Sequence, residues 1–166
     1  LRQLLRWAGP ALWGGCVLIA ATLVMGTTVN GASRWLVLGP LQIQPSELVK
    51  PFVVLQAANL FAHWSRTKPD QKLIWLASFG ALLLLILKQP NLSTAALIGL
   101  TLWMVALASG IRWRSLFGTA LAGGALGTAS ILVNEYQRLR VVSFLDPWAD
   151  PMGDGYQLVQ SLLAIG

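Results

Sequence analysis

The sequence predicts an all-α protein: a polytopic bundle of transmembrane helices, followed by part of a large extracytoplasmic loop. Three observations carry that prediction. Of the 166 residues 55% are hydrophobic and only 11% charged, where a soluble domain carries roughly a quarter charged residues. Mean hydropathy is +0.64, and no single soluble core of this length hides so much apolar surface. The apolar residues are also grouped, in five runs at or near the ~20 residues that a bilayer crossing requires.

The first run covers residues 10–29 and contains Cys16, the one cysteine, which offers no intrachain disulfide and fits as a small buried hydrophobe. The second covers 46–64. The third, 73–87, is short, and only Lys88-Gln89-Pro90-Asn91 separates it from the fourth, 92–109. A tight polar link containing proline suits a helical hairpin whose tip meets water. The fifth run covers 116–133, and residues 134–166 form the loop segment of what is otherwise a single membrane domain. The chain opens at Leu1 without a methionine and closes at Gly166 after an apolar run, so both ends are expected to lie inside a longer sequence.

Basic residues set the orientation. Arg2, Arg6, Arg66, Lys68, Lys72, Arg112 and Arg114 fall on one side, opposed there only by Asp70; the positive-inside rule places that side in the cytoplasm. Arg34, Lys88 and the segment from Asn134 then share the outer side, where the unusual sequence is concentrated. A net charge of +6 spread in this way between apolar runs gives no footprint for nucleic acid.

Three outer segments carry chemistry. In Gly31-Ala-Ser-Arg-Trp-Leu-Val-Leu-Gly39, Arg34 is a fixed cation suited to phosphate, and Trp35 an amphipathic ring suited to the headgroup layer. An aromatic-belt tryptophan beside an interfacial arginine is the simpler account. Gln44-Pro45-Ser46-Glu47 reads as a helix start, with Ser46 as cap and Glu47 at the positive end of the macrodipole. Lys50 lies three residues on, and Pro51 follows in the early turns. The Glu47–Lys50 pair is either a salt bridge that seats the helix or the polar wall of a headgroup cavity. In Lys88-Gln-Pro-Asn-Leu-Ser-Thr94, Asn91 and Ser93 are alternative caps.

The third segment is Tyr136 to Ser161, with Arg138 and Arg140 near its start. Asp146-Pro147 and Asp150-Pro151 start turns, and Gly153 and Gly155 are expected to supply positive φ. Asp146, Asp150 and Asp154 recur at spacing four, but the prolines and glycines exclude a regular acidic helix. Asx-turn roles are favoured over a metal or acid–base cluster. Helical pattern resumes at Tyr156, with Gln157, Gln160 and Ser161 as a polar stripe. His63 sits at the cytoplasmic end of the second run, where a helix-end role is expected. No Ser/His/Asp set, P-loop or zinc spacing is present in the sequence.

Gly31-Ala-x-Arg-Trp35, Gln44-Pro-Ser-Glu-Leu-x-Lys50, Gln89-Pro-x-Leu-x-Thr-Ala95 and Asp146-Pro-x-x-Asp-Pro-x-Gly-x-Gly-Tyr-Gln157, followed by Gln160-Ser161 and Ala164-Ile-Gly166, resemble in this order the SEDS family of bacterial cell-wall proteins, which includes FtsW, RodA and SpoVE. The resemblance covers nearly the whole chain; Pro147-Trp148 and Gly155-Tyr-Gln157 look more like the FtsW branch. It implies a bacterial plasma-membrane protein of about ten helices, each of bilayer-spanning length, this chain supplying the third to the seventh. It implies a glycosyltransferase that polymerises undecaprenyl-linked lipid II into peptidoglycan strands during cell division. Trp35, Glu47 and Lys50 match positions important in the family. Implied partners are lipid II, membrane lipids, a class B penicillin-binding transpeptidase and other division proteins, with no nucleic acid. No cofactor is evident from the residues, while the family leaves room for a divalent cation beside the anionic leaving group.

Two departures stand out. Family members usually read Gln-Pro-Asp-Leu-Gly-Thr at the hairpin tip, and the neutral Asn91 here cannot serve as a base. The aspartate regarded as catalytic in the family lies in a His-Thr-Asp-like segment further along the outer loop. No catalytic residue is therefore expected within this chain, and the chain alone is expected to be inactive. The substrate cavity is expected to involve Arg34, Trp35, Glu47, Lys50 and Arg138 or Arg140. The alternatives are a lipid II flippase, whose headgroup path would need mid-membrane polarity, and a non-catalytic division scaffold.

Overall fold

The structure, a computed structural model, describes residues 2–25, 27–29, 32–38, 41–89, 91–153 and 155–165; at 2, 25, 27–29, 32–34, 37, 38 and 41 it describes the backbone alone. Pro90 and Asp154, and Gly31 and Gly39 of the first motif, lie outside the described residues. The chain forms two compact units, Leu1–Ala125 and Leu126–Gly166.

Helix α1 (Arg2–Met25) opens the first unit. It begins ahead of the expected run and stops short of its end, because Thr27–Val29 is strand β1. Strands β2 (Ala32–Leu38) and β3 (Leu41–Ile43) complete an antiparallel meander of order β1-β2-β3. Its register pairs Thr27 with Trp35 and Leu36 with Ile43. This small sheet within an otherwise helical fold is a departure from the sequence expectation, which placed no strands here.

Helix α2 (Pro45–Ala62) follows β3 directly. The expected Ser46 cap is not the one formed. Gln44 occupies the N-cap position with Pro45 at N1 or N2, and Ser46 lies one residue inside, 1% exposed, accepting a hydrogen bond from Gln44 Nε2 at 3.0 Å. A proline at the first helical position loses no bond, since that N–H has no intrahelical partner. Helix α3 (Pro69–Lys88) starts in the same way, with Pro69 in its first turn, Asp70 beside the positive end of the dipole and Lys88 beside the negative end.

Between α3 and α4 (Leu92–Ala108), Asn91 caps α4: its side-chain oxygen accepts from the Thr94 N–H. Gln89 is not a water-facing tip residue. It is 1% exposed, and its Nε2 donates to Thr22 Oγ1 and to the Ile19 carbonyl, which pins the hairpin to α1. Helix α4 ends in a Schellman motif: the Gly110 N–H donates to Leu107 O and the Ile111 N–H to Ala106 O, with Gly110 at φ 73°.

Helix α2 is the hub of the first unit, packing on α1, α3 and α4. The core joins Leu12, Cys16 and Ile19 of α1 to Val49, Val53, Ala57, Leu60 and Phe61 of α2, Phe79, Leu82 and Ile86 of α3, and Ala95, Ile98 and Ala106 of α4. Helix α5 (Trp113–Val133) buries little: Leu116 is its one buried residue, while Phe117, Leu121 and Leu132 stand exposed. Among the described residues three helices are long and apolar enough to cross a membrane, within Gln3–Val24, Pro69–Lys88 and Trp113–Val133. Leu92–Ala108 is apolar but shorter. Helix α2, expected as a span, is helical but falls outside this set; Glu47, Lys50, Gln56 and Asn59 dilute its hydropathy, and eight of its residues are buried. The chain is a segment of a multi-pass membrane protein.

The second unit continues from the end of α5 into α6 (Glu135–Leu145), a 3-10 turn at Pro147–Ala149, and α7 (Tyr156–Ile165). The expected loop is thus largely helical, broken where the Asp-Pro pairs fall.

Candidate functional site

The candidate residues of the first unit gather where the meander feeds into α2. Trp35 is half-buried on β2, one residue before Leu36, whose partner Ile43 precedes Gln44 and the first turn of α2. β2 packs against both α1 and α2. Arg34 shares that strand, but its side chain lies outside the described residues.

Lys50 Nζ donates to Glu47 Oε2 at 2.7 Å, with side chains 28% and 51% exposed. An (i, i+3) pair at such exposure is worth only about 0.2–0.5 kcal/mol in water. That is too little to seat a helix whose start is already held by Pro45 and by buried Ser46 and Val49. The pair places a cation and an anion together, part-exposed, in the first turns of α2.

In the second unit, Arg138 Nη2 lies 3.5 Å from Glu135 Oε1, and the Arg140 guanidinium sits 5.3 Å from the Tyr136 ring centroid. Two residues apart on α6, the arginines project about 200° apart around the helix, so they do not serve one site together. Gln137 between them is buried, with Oε1 accepting from Ser130 Oγ at 2.8 Å.

The Asp-Pro segment behaves as turn scaffolding at Asp150, whose Oδ1 accepts from the Gly153 N–H at 3.0 Å. Asp146 follows the last turn of α6 and makes no side-chain cap bond. The positive φ expected at Gly153 and Gly155 is not found; among the described residues the positive-φ glycine is Gly110. Gly155 is needed for space instead. A Cβ there would run into the Pro147 carbonyl oxygen and come within 2.8 Å of Asp150 O. Beyond it, Val159 is the buried residue of α7, while Tyr156, Gln157 and Gln160 are exposed. Ser161 Oγ donates back to Gln157 O.

Among the described residues no three His, Cys, Asp or Glu come together as a metal site. His63 closes α2 as its C-cap, with Nδ1 3.0 Å from the Asn59 carbonyl.

Sequence reasoning missed the strands that present Trp35, although Asn30-Gly31 and Gly39-Pro40, turn dipeptides flanking Ala32–Leu38, were the signal for them. It also missed the buried contact of Gln89 with α1, for which the sequence holds no local signal.

All 166 residues match the family described as "Cell cycle protein", that of FtsW, RodA and SpoVE. The "Probable peptidoglycan glycosyltransferase FtsW" of Synechocystis sp. is 60% identical over 141 residues, covering 85% of this chain and 36% of that protein. The protein of the same name from Pseudoalteromonas atlantica is 42% identical over 156 residues, covering 92% of this chain and 32% of that protein. This chain therefore spans about a third of the length of these curated relatives. Among solved structures, a chain of a peptidoglycan synthase complex superposes with a TM-score of 0.69 at 36% identity, over 99% of this chain and 50% of that one. The crystal structure of the Thermus thermophilus rod shape determining protein RodA does so with a TM-score of 0.64 at 31% identity, over 75% and 42%. Motifs, helical architecture and these likenesses agree: the chain belongs to the FtsW/RodA/SpoVE family of cell cycle proteins.

Proposed function

We propose that the protein to which this chain belongs is a peptidoglycan glycosyltransferase of the bacterial plasma membrane, polymerising lipid II during cell division. The observation that carries this reading is the Glu47–Lys50 pair at the head of α2, next to the strand that bears Trp35. Polymerisation forms a bond from an acceptor sugar hydroxyl to the anomeric carbon of the donor while the bond to undecaprenyl pyrophosphate breaks. The departing pyrophosphate gains negative charge, and a preorganised cation beside it lowers the barrier. Lys50 is such a cation, and Trp35 gives the lipid-linked sugar an amphipathic surface. The general base is supplied from beyond this chain. A transpeptidase that crosslinks the nascent strand is the partner this reading favours, in keeping with the similar peptidoglycan synthase complex, which coordinates polymerization and crosslinking.

The test is polymerisation of lipid II by the purified full-length protein. Lys50→Glu is expected to lower the rate about a hundredfold, the scale of losing one preorganised charge-stabilising group. Undiminished polymerisation by a well-folded Lys50→Glu or Trp35→Ala protein would remove these residues from the site. Lipid II translocation in liposomes without polymerisation would support a flippase in place of the enzyme.

A further inference from the structure

At the other end of α1 and α2, about 20 Å along α2 from Glu47, lies a groove of about 580 Å³. It is lined by Arg6, Gly9, Pro10 and Trp13 of α1, by Gln56, Asn59, Leu60 and His63 at the end of α2, and by Gln71 and Trp75 of α3. We propose that this groove binds the headgroup of an anionic phospholipid from the cytoplasmic leaflet.

Its chemistry is one-sided. No acid lines it, Arg6 is among its lining residues, and Arg66 and Lys68 precede Gln71 in sequence, opposed by Asp70 alone, on the side that the basic residues assign to the cytoplasm. Basic pockets between spanning helices on that side suit acidic headgroups, because the leaflet itself is anionic. Polar side chains line it, exposed at Arg6 and Gln71, partly buried at Asn59 and buried at Gln56. Gln56 is only 5% exposed, and no partner among the described residues engages the side chains of Arg6, Gln56, Asn59 or Gln71. The Gln56 amide, lining the groove, can donate to phosphate oxygens and accept from glycerol hydroxyls. Pro10 adds an acceptor, since it lacks the N–H that would engage the Arg6 carbonyl.

The apolar features favour a lipid over a soluble anion. Trp13 and Trp75 wall the groove, and the Trp75 ring lies so close over Gly9 that a Cβ there would come within 2.8 Å of it. From Arg6 to Trp13 the wall descends about 10 Å, from headgroup depth toward the acyl layer. Val17, 67% exposed one turn beyond Trp13, continues an apolar path for a chain.

The experiment uses the full-length protein exchanged from mixed phosphatidylcholine and phosphatidylglycerol nanodiscs into detergent, with retained lipid counted by native mass spectrometry. Wild type is expected to retain phosphatidylglycerol selectively. Arg6→Gln is expected to reduce that retention roughly fivefold, the effect of one basic residue near an anionic surface. Lys72→Gln makes the same charge change at a residue stacked on Trp64, 4.8 Å from its ring, and is expected to leave retention near wild type. Equal retention of both lipids, as when another part of the full-length protein fills the groove, overturns the proposal. So does equal loss in the Arg6 and Lys72 variants, which would reduce the effect to surface charge. Displacement of the lipid by glycerol phosphate alone would assign the groove to a soluble anion and overturn it too. None of these outcomes touches the polymerase reading, which rests on the opposite end of α2.

Discussion

Gly15 of α1 packs against Val49 of α2, and Gly15→Ala should destabilise the protein although alanine is the better helix former. A Cβ at Gly15 would collide with Val49 Cγ2, and it would also stand 3.2 Å from Val49 Cβ and 3.5 Å from Cγ1. Rotating Val49 cannot relieve the Cβ contact, and a β-branched residue in a helix has one strongly preferred rotamer in any case. Val49 is 2% exposed within the core, so the helices themselves must move apart. Overpacking of this kind costs about 1–3 kcal/mol, against a propensity gain of about 0.5–1 kcal/mol for replacing a mid-helix glycine. The net loss is expected at about 1 kcal/mol, and at most about 2.5 kcal/mol. Gly14 is the internal control: nothing lies within 4 Å of its Cβ position, so Gly14→Ala should be neutral or stabilising. Val49→Ala removes the two methyls but keeps the Cβ that would stand 3.2 Å away, so Gly15→Ala should cost less in the Val49→Ala background than in the wild type. The assay is unfolding of the full-length protein in mixed micelles with increasing SDS, followed by tryptophan fluorescence. Wild-type stability in Gly15→Ala, or strictly additive costs in the double variant, would refute the packing argument.

Gln89→Leu removes the donor to Thr22 Oγ1 and Ile19 O and is expected to lower stability by about 1–2 kcal/mol. Thr22→Val should add little on top of it in a double-mutant cycle read by the same unfolding assay. Gly155→Ala should loosen the turn into α7 far more than Gly153→Ala, because the first meets carbonyl oxygens of the backbone and the second only the end of the Asp150 side chain. Faster amide exchange across Tyr156–Ile165 in the Gly155 variant, with near-normal exchange in the Gly153 variant, is the expected readout.

The resemblance to the family was legible because its motifs are local strings, and a string such as Gln44-Pro-Ser-Glu47 survives without knowledge of the fold. The helical runs were legible for a similar reason: a bilayer imposes a length and a composition that any window can register. The cap at Asn91 was visible too, since capping is settled within a few residues. The N-cap of α2 was misplaced by two residues, from Ser46 to Gln44, because the proline between them is equally at home in the first turn. Gly153 and Gly155 looked like positive-φ positions because glycine advertises permissiveness, whereas the requirement at Gly155 is room for two carbonyls that arrive from Pro147 and Asp150.

By itself, then, the sequence determined the membrane class, the helical runs, the family and the residues worth testing, all of which are properties of composition and short spacing. Only the tertiary structure decided that α2 is the hub and that Gln89 turns inward to Thr22. It also decided that Glu47 is held by Lys50 and that Arg6, Gln56 and Trp75 line one groove. Those facts depend on which helix faces meet across long stretches of chain. In an apolar sequence nearly every face is hydrophobic, so periodicity alone carries little information about which face turns inward.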